Sequence, residues 1–208
     1  MWTKDIYILF NKGKRKAMYK YWTIQHKDVL EKIDRDGVYY PDFNQSHSVK
    51  KNPLLKEIYD FVLTSYNNVN GTNLEGLVFS FQYSEDYRVM YFRNYSEFKQ
   101  RIREKRMAIF SLWKQYNEDE HVVMELLYDD DLNPLLIDIN DFQVIMPPAV
   151  ALPPYSKEEL YNIVYRLRNG IIAPSVFPST LIQAHLPYIK RENVKNVFPF
   201  FSLSEDDW

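Results

Sequence analysis

Tyr21-Trp22-Thr23-Ile24-Gln25, followed by Asp28 to Asp36 and then by Gly37-Val38-Tyr39-Tyr40-Pro41, sets out a strand, a helix and a turn without a gap. Tyr21, Trp22 and Ile24 are aromatic or β-branched, the types that pack well on a pleated surface. Thr23 and Gln25 alternate with Trp22 and Ile24 between the two faces, so residues 20 to 25 read as a strand. Val29, Leu30 and Ile33 fall at i, i+1 and i+4, one turn of an apolar helix face. Asp28 and Glu31 sit near that helix's positive pole. Gly37 can take the left-handed conformation that stops it.

Working outward, the same signals repeat. Residues 5 to 10, 76 to 82, 88 to 92, 121 to 128, 135 to 139, 142 to 146, 181 to 185 and 194 to 200 read as strands. A helix is expected after Pro53 through Leu54, Leu55, Ile58, Phe61 and Val62, since proline is tolerated in a first turn. Another is expected from an N-cap at Ser96 to about Tyr116, with its apolar stripe broken at Lys105 and Arg106. Ser156 and Glu159 form a capping box before Leu160, Ile163, Val164 and Leu167, and Gly170 closes that helix. Strands and helices mix without regular βαβ alternation, which predicts an α+β domain built on a mainly antiparallel sheet flanked by helices. A single domain over 1-208 is expected, with a stiff proline-rich connector at 147-154 and an acidic tail at 202-208.

The opening Trp22-Thr23-Ile24-Gln25, the helix and Gly37-Val38 resemble those of a bacterial protein family known only as a domain of unknown function. Tyr59-Asp60-Phe61 resembles that family's Tyr-Asp-Trp helix, and Ile182-Gln183-Ala184 with Val197-Phe198 resembles its closing strands. That resemblance implies no activity. At the level of pattern the chain also resembles ADP-ribosyltransferases of the DNA-modifying toxin type, which implies a split sheet and an NAD site. Thr23 then falls where that family places a His or Arg, and Gln183 roughly where it places a catalytic Glu. A Gln cannot supply the negative charge that steadies an oxocarbenium-like transition state, so the resemblance implies an activity lost or changed.

Composition removes several classes. The 208 residues include no Cys, which excludes disulfides, thiolate metal sites and a Cys nucleophile and fits a cytoplasmic protein. Lys plus Arg number 26 against 28 Asp plus Glu, a formal charge of −2, so any contact with nucleic acid needs a local patch. No apolar run approaches the ~20 residues of a membrane span. The four histidines, at 26, 47, 121 and 185, include no H-E-x-x-H pair, and Asp129-Asp130-Asp131 lacks the spacing and glycine of a calcium loop, so no metal is expected. Glu125 and Asp138 supply two carboxylates for a nuclease but no third.

The remaining candidates are polar residues on strands. Gln183 and His185 share one strand face, as do Thr23 and Gln25. If the two strands are neighbours, the four converge on a cleft with Thr23 and Gln183 as catalytic candidates. Gln25, His185, Tyr39 and Tyr40 then become candidates to hold NAD or a nucleotide by amide contacts and ring stacking. Lys99, Arg101, Arg103 and Arg106 make the densest basic run, which reads either as a solvated helix surface or as a nucleic-acid contact. Two functions follow. One is an ADP-ribosyltransferase-like domain, active or degenerate. The other is a non-catalytic protein that engages a macromolecular partner, including a protein partner, in a bacterial defence or toxin–antitoxin setting.

Overall fold

The computed structural model describes residues 7–8, 17–46, 50, 54–86, 88–106, 109, 113, 116–138 and 179–203. The proline connector, the helix expected from Ser156, the strand expected at 142 to 146 and residues 204 to 208 lie outside this set.

The opening stretch folds as its residues dictate. Strand β2 runs Ala17–His26 and passes without a break into helix α1, Lys27–Asp36. His26 caps that helix by accepting from the Asp28 N–H, and Gly37, at φ 78°, closes it by donating to Ile33 O. Strand β3, Val38–Tyr39, follows. Two further helices among the described residues are α2, Leu54–Asn70, and α3, Tyr95–Glu104. The N-cap of α3 is Asn94 rather than Ser96, because the Asn94 side chain accepts from the Glu97 N–H three residues on. The helix ends at Glu104 with Lys105 as its C-cap, where the apolar stripe is interrupted, and Arg106, Ile109 and Trp113 beyond it are again helical.

The remaining strands are β1 (Tyr7–Ile8), β4 (Val78–Glu85), β5 (Arg88–Met90), β6 (His121–Tyr128), β7 (Leu135–Asp138), β8 (Ser179–Leu186), β9 (Ile189–Lys190) and β10 (Val194–Pro199). The main sheet runs β10-β6-β2-β4-β8-β7, with β1 added to β2 and β5 to β4. Every neighbouring pair is antiparallel. β3 and β9 form a separate small ribbon. The molecule is therefore an α+β fold around a mainly antiparallel sheet.

Register decides what each face buries. Trp22 lies opposite Phe81, Phe81 opposite Gln183, and Gln183 opposite Ile137, so these four share a face. That face carries the larger aromatic core: Trp22 stacks on Phe98 of α3 at 5.2 Å and on Phe198 at 5.7 Å, with Phe92 and Trp113 also buried there. Thr23, Ser80 and Ala184 line up on the opposite face, where Tyr21, Met124 and Leu126 pack against Val29 and Ile33 of α1.

The centre of the sheet is its narrowest join. β2 pairs with β4 over only two residue pairs, Trp22–Phe81 and Thr23–Ser80, whereas β2–β6 and β4–β8 each run for eight. Side chains extend the join: the Thr23 hydroxyl donates to Phe79 O at 2.6 Å and Gln82 Nε2 to Lys20 O at 3.4 Å. The indole of Trp22 donates to Phe92 O at 3.3 Å on the other face. Buried polar groups at this seam thus supply hydrogen bonds that the short ladder omits.

Candidate functional site

The expected cleft does not form from the residues proposed for it. The strands at 20 to 25 and 181 to 185 are not side by side, because β4 runs between them. Their polar side chains also leave opposite faces of the sheet. Gln183 shares its face with Trp22, and one residue of register separates it from Ala184, which shares its face with Thr23. Successive side chains in a strand alternate, so this single step turns Gln183 and His185 away from Thr23 and Gln25.

Three of the four are engaged locally. Thr23, fully buried, bonds to Phe79 O, and Gln25 Nε2 donates to Thr23 Oγ1 at 2.8 Å. His185, also fully buried, lies 3.0 Å through Nδ1 from Leu135 O and meets the Phe79 ring edge-on at 4.9 Å. Burial pushes its pKa down to about 4, against the opposing pull of the Leu135 carbonyl. The ring is therefore neutral at physiological pH, with its proton on Nδ1 assigned from that carbonyl contact. Gln183 is 1% exposed, and its Oε1 meets no hydrogen-bond donor among the described residues.

The basic residues of α3 do not form one face. Arg101 turns to β4, 3.4 Å from Glu85 and over the Tyr83 ring at 4.7 Å. Lys99 sits over Tyr95 at 4.7 Å, Arg103 over Phe201 at 5.7 Å, and Arg106 donates to Arg103 O at 3.4 Å. These cations lean on the protein's own rings, carboxylates and main chain. The carboxylate pair also separates: β2, β4 and β8 lie between Glu125 on β6 and Asp138 on β7. Glu125 instead bonds Lys20 at 2.5 Å and Asn196 at 2.6 Å. Among the described residues no group of three His, Cys, Asp or Glu is placed to hold a metal ion.

Tyr39 and Tyr40 arrive at a surface the sequence did not reveal. β3 pairs with β9 through Val38–Lys190 and Tyr39–Ile189. Ile189 is fully buried and Tyr39 half-buried on the inner side. Burial, with the nearby Asp42 carboxylate, raises the Tyr39 pKa, and Lys32 lies 5.8 Å from its ring centre. Tyr40, 60% exposed, meets Tyr188 at 6.1 Å; Tyr188 is half-buried and packs also on the buried Tyr128 ring at 6.1 Å, and Lys190 Nζ lies 5.1 Å over the Tyr188 ring. Glu192 is 3.8 Å from Lys190 Nζ.

This ribbon is anchored at several points. Tyr128 donates its hydroxyl to Tyr188 O at 2.7 Å, Arg191 N–H donates to Gly37 O at 2.9 Å, and Asn193 bridges Lys190 N and Leu127 O. The outcome is a fixed two-strand platform presenting one exposed ring, a second ring beside it and an ammonium. Tyr188 and Lys190 carry no sequence signal of their own, because only the pairing of β3 with β9 sets them beside Tyr40.

No family model, curated protein or solved structure matches the chain. Fold and surface therefore carry the functional reading by themselves. Among the described residues no helix is long and apolar enough to cross a membrane.

Proposed function

We propose that this chain is a non-catalytic binding module, rather than an ADP-ribosyltransferase-like enzyme, and that it holds single-stranded nucleic acid on the β3–β9 ribbon. The observation that carries the reading is the exposed Tyr40 ring beside the half-buried Tyr188 and the Lys190 ammonium on an anchored platform. A base stacks on the exposed Tyr40 ring while the Lys190 ammonium meets an adjacent phosphate, the combination by which proteins hold unpaired strands with little sequence preference. With the chain at a formal −2, attraction is confined to such a local contact. The engagement of Thr23, Gln25 and His185 with nearby groups supports a structural use for the residues an NAD-consuming site would need.

Fluorescence anisotropy with a labelled oligothymidylate, run beside an NAD titration by calorimetry, tests this. Binding is expected to the oligonucleotide and not to NAD. Tyr40→Ala should weaken it by about 1–3 kcal/mol, the range for losing one stacked base, and Lys190→Gln should lower its salt dependence. Heat from NAD that disappears in Gln183→Ala, or oligonucleotide binding unaffected by Tyr40→Ala, would sink the proposal.

A further inference from the structure

His26 and His121 are distant in the chain and terminal in the sheet, paired across the last rung of β2 and β6. Their rings meet edge to face at 5.5 Å. Each ring uses the same nitrogen in the same way. His26 Nδ1 accepts from the Asp28 N–H at 3.2 Å and so caps α1, while His121 Nδ1 accepts from the Asn117 N–H at 3.3 Å and so closes the turn that leads into β6. The turn is also tied to α1 by the Lys27 N–H, which donates to Glu120 O at 2.8 Å, and by the Lys27 ammonium on Asp119 O.

A ring nitrogen that accepts an N–H bond carries no proton, so the Asn117 contact assigns His121 its neutral form with the proton on Nε2. That arrangement leaves the His121 Nε2 no lone pair for a metal. Protonating either ring places a hydrogen on the accepting nitrogen and abolishes its bond, and protonating both sets two cations against each other. The two rings differ in what they find next. The Asp28 carboxylate lies 3.3 Å from His26 Nδ1, so a protonated His26 exchanges the Asp28 N–H for that carboxylate with little movement. His121 faces Glu120 and Lys27, charges of opposite sign, with Tyr116 at 5.2 Å and Phe200 at 6.4 Å against its ring.

We propose that His121, with His26 as its neighbour, is a proton-operated clasp, which keeps the 117–120 turn closed while its ring is neutral and opens it on acidification. Burial first and His26 second keep the His121 pKa below its ordinary value, so the clasp stays closed at neutral pH. Protonation of His121 frees the Asn117 amide.

NMR tests this on the intact chain. The histidine ring protons are titrated from neutral to acid pH, and hydrogen-exchange protection factors for the Asn117 and Asp28 amides, corrected for intrinsic rate, are followed in parallel. Asn117 protection should fall with the midpoint of His121 by roughly tenfold or more. In His26→Gln the His121 midpoint should move up, because the repelling neighbour is gone. Asn117 protection that stays constant while His121 titrates would overturn the clasp, as would a His121 midpoint unmoved in a folded His26→Gln.

Discussion

Thr23 and Gln183 look alike in the sequence, a polar residue inside an apolar strand, yet they are in opposite situations. Thr23 completes the β2–β4 join, so Thr23→Val, which keeps the shape and deletes the hydroxyl, should cost about 1–2 kcal/mol by leaving Phe79 O without that donor. Gln183 Oε1 meets no donor among the described residues, so Gln183→Met should leave stability unchanged or raise it by about 1 kcal/mol. Urea unfolding of both variants separates the cases, and a Gln183→Met that unfolds as easily as Thr23→Val would mean the amide is engaged after all. His185 adds a pH signature. Its pKa is held down to about 4 in the fold against about 6.5 when unfolded, so the unfolded chain binds the extra proton. Its contribution is present in full above pH 6.5 and is lost as the pH falls towards 4, a span worth about 3 kcal/mol. The slope of stability against pH across that window should flatten in His185→Phe.

At the scale of elements, the strand, helix and glycine signals of residues 20 to 40 are realised almost residue for residue, because alternation, helical spacing and a left-handed stop are local properties. The N-cap of α3 lies two residues before the Ser96 that the sequence predicts, since Asn94 and Ser96 are both cap formers and only the bond to the Glu97 N–H separates them. A second tight spot gives a further test. The chain passes Gly76 so closely that a Cβ there would sit 2.7 Å from Pro41 O and 3.0 Å from Asp42 N, main-chain atoms that cannot swing aside. Phe43 N–H bonds to Glu75 O in the same place. Gly76→Ala should therefore destabilise the protein by about 1–3 kcal/mol, read as a lower urea midpoint. An unchanged midpoint would show that the 41–43 segment can move away freely.

For the whole molecule, local pattern alone identified the α+β class and the mainly antiparallel sheet, because hydrophobic period and breakers report on segments a few residues long. It also identified Tyr39 and Tyr40 as rings worth weighing. Tertiary structure decided everything that depends on which segment meets which. It inserted β4 between β2 and β8, sent Thr23 and Gln183 to opposite faces, and spread the cations of α3 over separate partners. It also paired His26 with His121 and set Tyr188 and Lys190 beside Tyr40. The physical reason is common to all of these: a strand's side chains repeat every two residues, so its sequence fixes which residues share a face, while the neighbour and the register, set by long-range packing, fix what that face meets.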